Sequence, residues 1–317
     1  MGLLVVDPGL STTVQDLGRP GYRQWGVTPG GPFDRASAGL GNALVGNSAG
    51  CAVLEFTLRG GVYEAGCPLA IALAGAPIEA RVESADACEQ RRLELPLCFS
   101  LARGERLILG RTRDGARAYL AVKGGWQTRP ILGSRSSEQR ITAGTVLPAE
   151  PGSTPTRRVD QSAWNSPVGV PLRIIPGPDE VAVAVAVASS SANCGAASWT
   201  GREFRVSPHA NRVGLRLEGE PIDISSPPDR LSAPVAPGTI QVAGGRVIIL
   251  GVACGTMGGY PHIAQVISAD LHRVGQLRPG DLVQFQPVAL AEARRLDKES
   301  RTQNKCVIDR VSLLASD

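Results

Sequence analysis

The feature that constrains this chain most is how quickly its apolar runs are cut short. Apolar, largely β-branched stretches recur from end to end, each stopped by glycine or proline, and the 317 residues hold 38 Gly and 24 Pro. Both residues break helices and mark turns, so this punctuation predicts many short strands and argues against a helical bundle. In the first half, strands are expected at residues 1–6, 51–58, 69–74, 78–82, 93–99, 105–109 and 118–122. In the second half they are expected at 172–175, 203–206, 215–217, 222–224, 238–242, 247–250, 264–267 and 282–285. Strands at this spacing close into a barrel or stack as a sandwich. Two stretches switch to a helical period. Residues 34–45 carry small or apolar side chains at 36, 40, 43 and 44 behind an Asp34 N-cap, and Gly46-Asn47 ends the run. Residues 288–300 read as a terminal surface helix, and 306–314 as an added strand or a loose tail. The Ala/Val run 181–188 fits a small-residue helix or a buried strand and is too short to cross a bilayer.

Residues 148–171 are rich in Pro, Ser, Thr and Arg and have no period. They mark a boundary between a first domain, 1–150, and a second, 171–287, followed by a C-terminal helix and tail, 288–317. The net charge of +4 comes from scattered arginines without a basic stripe, so no nucleic-acid partner is expected. The seven cysteines form no CxxC pair and no Cys/His cluster of zinc spacing, so no metal site is expected. The N-terminus lacks a basic leader and breaks at Pro8-Gly9, which reads as a first strand. No membrane association is expected, and the thiols read as reduced, in a cytoplasm.

One run reads as the lip of a site: GVACGTMGGYPH, residues 251–262, after an apolar strand. Adjacent Gly258 and Gly259 imply a turn of positive φ or a close approach of main chain; a plain bulge between strands is equally open. Tyr260 and His262 flank Pro261, which fixes the chain direction. Thr256, Tyr260 and His262 are the catalytic candidates, with a neutral imidazole able to meet a substrate carbonyl or carboxylate. Gly258 and Gly259 are candidates for substrate contact. Cys254 reads as a nucleophile or a buried filler, the filler fitting better. Of Arg212 and Arg216, beside Gly214, one offers a donor fork for a carboxylate or phosphate while the other pairs structurally. Ser134, Arg135 and Ser136 form a loop able to cradle an anion, or a capped turn. Gln15, Asp16, Arg19 and Tyr22 hold a Gly-Arg-Pro-Gly loop or meet a partner, and Asp16 can pair with Arg19. Asp270 and Asp281 orient turns. No Walker-type loop GxxxxGK[ST] is present.

Several segments in order resemble one family. They are LSTTVQDLGRPGYRQWGV (10–27), NALVGN (42–47), LEFTLRGG (54–61), VKGGWQTRPILGSRSS (122–137), NRVGLRLEG (211–219), PGTIQV (237–242) and GGYPHIAQVISADLHRVGQLRPGDLVQF (258–285). Together they resemble the biotin-dependent carboxyltransferase family, subunit or domain 2 type, over residues 3–290. That family includes the C subunit of prokaryotic 5-oxoprolinase, also labelled allophanate hydrolase subunit 2, and is similar to half of the carboxyltransferase region of urea carboxylase. The resemblance implies a mainly β fold of two cyclophilin-like β-barrel domains with a few short helices. It implies a subunit 1 partner, the B-type member of 5-oxoprolinase, with which a composite site forms, and a LamB/YcsF-type partner as the A-type member. The implied reaction is ring opening of 5-oxo-L-proline to L-glutamate, with ATP used by the complex. In fused relatives it implies carboxyl transfer from carboxybiotin to urea, so biotin enters only in that alternative. A third alternative is a non-catalytic regulatory binding protein. The chain departs from the family pattern at the Asp and Gln that usually precede Thr-Gly-Gly-Tyr-Pro, here Ala253 and Gly255, and Met257 stands for a second Thr. Gly30-Gly31-Pro32-Phe33-Asp34 and Ala210-Asn211-Arg212 replace Ser-Gly-Ala-Met-Asp and Ser-Asp-Arg. Loss of the carboxylate at 253 removes a candidate general base.

Overall fold

The computed structural model describes residues 1–94, 96–159, 171–179, 199–224 and 230–315. The run 181–188, Cys194 and residues 160–170 of the expected boundary at 148–171 lie outside the described residues. The fold is mainly β, with 36% of the described residues in strands and 18% in helices. The chain divides into two compact units that are not simply sequential. The first holds Met1–Arg19, Gly30–Ser166 and Gln303–Asp317; the second holds Pro20–Pro29 and Pro167–Thr302. Its helices include α1 (Arg35–Leu44), α2 (Leu271–Gln276) and α3 (Leu290–Ala315).

The first unit is built from two six-stranded antiparallel sheets. One runs in the order Val146–Pro148, Gly2–Asp7, Val62–Ala65, Arg106–Thr112, Ile78–Glu83 and Gln90–Leu93. The other runs Arg157–Arg158, Leu97–Leu101, Leu69–Gly75, Arg117–Val122, Val53–Thr57 and Thr12–Gln15. The period of two decides which side chains go inside: Ile78, Ala80 and Val82 are buried while Glu79 and Arg81 face out. Leu3, Val5 and Leu107 of one sheet share a core with Phe56, Ile71 and Leu120 of the other. The second sheet is covered on its outer face as well. There Ala72, Ala74 and Ala121 leave room for Leu40, Ala43 and Leu44 of α1. The Asp34 carboxylate caps α1, accepting from Ser37 N–H at 3.0 Å and Ser37 Oγ at 2.6 Å.

Beneath that cap lies a buried charge. Glu55 Oε2 accepts hydrogen bonds from Phe33 N–H and Tyr119 O–H, both at 2.8 Å. Arg117 Nε stands 3.4 Å from Glu55 Oε1, a buried ion pair. The Arg117 guanidinium also lies over the Phe33 ring, 4.3 Å from its centroid. Burial, reinforced by the neighbouring Glu55 charge, pushes the Tyr119 phenol well above its usual pKa and keeps it a donor.

The second unit contains an eight-stranded sheet. Its order is Leu282–Val283, Phe204–Val206, Gly214–Glu218, Arg246–Leu250, Thr239–Ala243, His262–Val266, Leu172–Pro176 and Phe285–Pro287. The first and last members are separated in sequence only by Gln284, so the sheet must curl back on itself into a nearly closed barrel. Leu172 N–H, donating to the Gln284 carbonyl at 2.8 Å, lies at the seam. Trp199, Phe204 and Phe285 fill the adjoining core, with ring centroids 5.2 and 5.8 Å apart along the chain of contacts. Asp270, with no exposed surface, binds Arg173 through its backbone N–H at 2.9 Å and Nε at 3.0 Å, and Arg273 Nη1 at 3.1 Å. Asp281 accepts from Arg278 N–H at 2.7 Å, so both carboxylates hold backbone in place as expected.

Four expected elements differ. Residues 93–99 break into Gln90–Leu93 and Leu97–Leu101, and 282–285 into the two short strands at the barrel seam. Residues 222–224 join no sheet; Ile222 N–H goes instead to the Gly245 carbonyl at 2.9 Å. Residues 306–314 are helical, which extends α3 well past 300. Val307, Ile308 and Val311 pack against the α1 layer of the first unit, and this contact decides the conformation of a β-branched run.

Candidate functional site

The 251–262 run leaves its strand with two backbone hydrogen bonds, Gly251 N–H to the Val213 carbonyl at 2.9 Å and Ala253 N–H to the Arg212 carbonyl at 3.0 Å. Met257–Gly258 then pairs with Ala233–Pro234, and Val235 N–H donates to the Thr256 carbonyl at 3.1 Å. None of Gly251, Gly255, Gly258 and Gly259 has a positive φ, so the expected left-handed turn is absent. Close approach is the operative reason at Gly258. A Cβ there would lie 2.7 Å from Gln241 Nε2 and 3.0 Å from Val235 Cγ1. The buried Gln241 amide passes this point to reach the Tyr260 carbonyl at 3.1 Å. Gly258→Ala is therefore expected to lower stability by about 1–3 kcal/mol. Gly259→Ala, whose Cβ would meet only Ser232 Oγ at 3.6 Å, should shift the thermal midpoint far less. Equal shifts in the two variants would refute the crowding. The bend itself is at the surface: Gly259 is exposed and Tyr260 is 54% exposed.

Beyond the bend, His262 joins a charged cluster that local sequence does not reveal. Arg230 grips Asp179 with both terminal nitrogens, at 3.0 and 2.6 Å. Asp179 Oδ2 also accepts the His262 backbone N–H at 2.7 Å, and Asp179 N–H donates to the His262 carbonyl at 3.0 Å. Burial alone would raise the Asp179 pKa, but Arg230 and the His262 N–H together hold it below the usual carboxylate value. Burial pushes the His262 imidazole down from its ordinary 6.5. Among the described residues His262 Nε2 is buried without a hydrogen-bond partner, as is Arg230 Nε. Arg23 shows the same pattern: one terminal nitrogen bonds the Val235 carbonyl, while the other is buried with no partner. Asp179 closes the rigid run Pro176-Gly177-Pro178, the one local signal that could have drawn attention to it. Arg230 and Arg23 carry no such mark. The arrangement presents an imidazole that is neutral at pH 7 and able to accept a proton, on backbone held by a carboxylate–guanidinium pair.

The other candidates of the second unit separate. Thr256 is half-buried and contributes its carbonyl to the ribbon. Arg212 is 9% exposed, whereas Arg216 points to solvent, on the face of Gly214–Glu218 opposite the buried Leu215 and Leu217. The two arginines thus differ in setting, Arg212 buried and Arg216 open to solvent. Cys254 is buried and its thiol pushed up by that burial, which fits the filler and not the nucleophile.

In the first unit the anion cradle exists, and the chain's own carboxylate fills it. Asp16 accepts from Ser134 Oγ at 2.5 Å, Arg135 N–H at 2.5 Å, Ser136 Oγ at 2.8 Å and Gly18 N–H at 2.9 Å. Ser134, Arg135 and Ser136 are thus engaged by Asp16, not open to a substrate anion on that side. Asp16 and Arg19 do not pair with each other; Arg19 donates to the Ile131 carbonyl at 3.1 Å and to the Ser136 carbonyl. Gln15 is fully buried, with Nε2 on Thr13 Oγ1 and the Ser137 carbonyl, both at 2.9 Å. It holds this loop and is not available to a partner. Tyr22, in the second unit, stacks on Trp25 with centroids 5.6 Å apart. Burial raises the Asp16 pKa, but the hydroxyl and N–H donors around it leave the net value below 3.8. A carboxylate held low stabilises the fold above 3.8, and that contribution disappears as pH falls through its lower folded value. Asp16→Ala is expected to cost about 1–3 kcal/mol at pH 7 and much less at pH 2, read from urea unfolding at the two pH values. A loss independent of pH would contradict the ionised cradle.

Among the described residues no helix is long and apolar enough to cross a membrane, and no cluster of His, Cys, Asp and Glu could hold a metal ion. Residues 25–287 match the family described as carboxyltransferase domain, subdomain A and B. The C subunit of 5-oxoprolinase from Escherichia coli (strain K12) is 32% identical over 313 residues, covering 94% of this chain and 95% of that protein. That of Haemophilus influenzae (strain Rd) is 28% identical over 311 residues, covering 97% and 96%. The crystal structure of the K. lactis urea amidolyase superposes with a TM-score of 0.80 at 26% identity over 96% of this chain. This chain spans only 20% of that larger one.

Proposed function

This chain belongs to the carboxyltransferase domain family, and from that membership we propose that it is the C-type subunit of an ATP-dependent 5-oxoprolinase, active only in a complex with other subunits. The observation that carries the reading is end-to-end correspondence: this chain and the C subunit of the Escherichia coli 5-oxoprolinase match over 94% and 95% of their lengths. The partners in this reading are a B-type protein (subunit 1) and a LamB/YcsF-type protein in the A-type role, in the cytoplasm. ATP is a co-substrate of the assembly and activates a lactam carbonyl that water attacks too slowly.

In this reading His262 manages a proton at its unpartnered Nε2. Burial keeps the ring neutral, and the Asp179–Arg230 pair fixes the backbone that carries it. Tyr260 and the main chain of Gly258 and Gly259 border the substrate on the exposed side, and Thr256 supports them from the ribbon. Arg212 is the cation this reading assigns to the substrate carboxylate. The test is co-expression with the B-type and A-type partners, followed by assay of glutamate and ADP from 5-oxo-L-proline. Glutamate released in step with ADP supports the proposal; none from a verified three-part complex rejects it.

A second reading, a carboxyltransferase component of a biotin-dependent urea carboxylase, draws on the match to the K. lactis urea amidolyase. Activity that avidin abolishes would favour it; glutamate formation insensitive to avidin favours the first.

A further inference from the structure

The loop that wraps Asp16 has a second side. Ile131 and residues 134–137 also wall a cavity of about 290 Å³ in the first unit, and this cavity is cationic. Arg19, Arg129, Arg135 and Arg140 line it over an apolar floor that includes Val14 and Leu147, with no Asp or Glu among the lining residues. Arg19 and Arg135 direct their hydrogen bonds to uncharged acceptors, the Ile131 and Ser136 carbonyls and Gln127 Oε1. Arg129 and Arg140 are exposed and make no hydrogen bond or ion pair among the described residues. The carboxylate at hand, Asp16, is already held by Ser134, Ser136 and the Arg135 N–H. Two polar atoms of lining residues, Thr128 Oγ1 and Arg135 Nε, are buried with no partner. Such atoms cost free energy until something satisfies them, and like charges gathered in one hollow repel until an anion enters.

The larger hollow of the same unit, about 600 Å³, is a useful contrast. It is lined by Arg81, Arg92 and Arg113, but also by Glu79 and Glu94, and Glu79 pairs with Arg113 at 2.6 Å. Its arginines are accompanied by carboxylates; those of the smaller cavity are not.

We infer that the cavity bounded by Arg19, Arg129, Arg135 and Arg140 is a binding site for a phosphate-bearing ligand. A carboxylate offers one charge and two oxygens, which a single guanidinium fork satisfies. Four guanidinium charges with a hydroxyl among them, the forks of Arg129 and Arg140 unengaged among the described residues, match the several oxygens and charges of a di- or triphosphate. A volume near the lower end of small-molecule sites admits the phosphates and leaves any nucleoside outside. The ligand is either a nucleotide presenting its phosphates or a free polyphosphate. The site lies wholly within the first unit, so its failure and that of the 5-oxoprolinase reading are separate events.

Isothermal titration of the full-length chain with tripolyphosphate, ATP and 5-oxo-L-proline, at low and high salt, tests the assignment. Tripolyphosphate is expected to bind and to weaken as salt rises. The double variant Arg129→Ala, Arg140→Ala should weaken it about tenfold or more while leaving the unfolding midpoint in place. Arg129→Lys with Arg140→Lys should restore part of the affinity, and Arg81→Ala with Arg92→Ala should leave it unchanged. ATP binding tighter than tripolyphosphate identifies a nucleotide source; equal or weaker binding identifies a free phosphate ligand. No heat from either phosphate, an unaltered affinity in the double alanine variant, or a response to 5-oxo-L-proline alone overturns the inference.

Discussion

The full-length chain carrying Glu55→Ala is expected to unfold at a markedly lower urea concentration, with a stability loss of about 3–5 kcal/mol. Glu55 is 1% exposed and Arg117 4% exposed. Truncation removes the carboxylate that faces Arg117 at 3.4 Å and strips Phe33 N–H and Tyr119 O–H of their acceptor. Breaking a buried ion pair by removing one partner is among the costlier single changes a core can suffer. Domains of this size are stable by only about 5–15 kcal/mol, so the variant sits close to unfolding at physiological temperature. Tyr119→Phe removes one donor to the same carboxylate and should cost less, about 1.5–3 kcal/mol. The urea midpoint with an unchanged slope is the measurement. A Glu55→Ala loss below about 1 kcal/mol would show that the pair is not what secures this layer.

The second large effect is kinetic. In the assembled complex His262→Ala should lower kcat by about 10²–10⁴, the usual range for removing a group that moves a proton in the transition state. Its unfolding midpoint should move little, because the bond to Asp179 comes from the backbone N–H and survives the substitution. Burial holds the imidazole below 6.5, so it is neutral at pH 7. The wild-type kcat/KM should decline as pH falls below 6.5 through that lower value, and the variant should lack this limb. The same shift means that the unfolded chain binds this proton more readily than the folded one. The ring's contribution to stability is therefore complete above 6.5 and lost as pH falls. A kcat within twofold of wild type would remove His262 from the chemistry and leave Tyr260 and Thr256.

Helix α1 was legible because everything it needs is local: an Asp34 cap, a helical period and Gly46, whose φ of 74° suits a helix end. The barrel seam was not. A single expected strand over 282–285 is two strands on opposite ends of a sheet order, and only closure of the ring separates them. The end of α3 was missed for a related reason, since Val307, Ile308 and Val311 take their conformation from a core formed far away in sequence. At the sites, residue type carried the chemistry but not the partner. Ser134-Arg135-Ser136 reads as an anion cradle or a capped turn, yet nothing local says that it wraps Asp16, some 120 positions earlier. The Asp179–Arg230 pair spans 51 positions and was invisible for the same reason.

The margin of an open sheet offers unpaired backbone groups to any passing chain, and many complexes are built by adding a strand there. In the second unit the outermost strands, Leu282–Val283 and Phe285–Pro287, are two and three residues long and tethered to each other through Gln284. Neither is long enough to template an incoming strand. Among the described strands of this barrel no edge suits strand addition, so side chains and loop contours are the features left for a companion protein to read, and surface point substitutions, not main-chain mimicry, are the expected means of prising such an assembly apart.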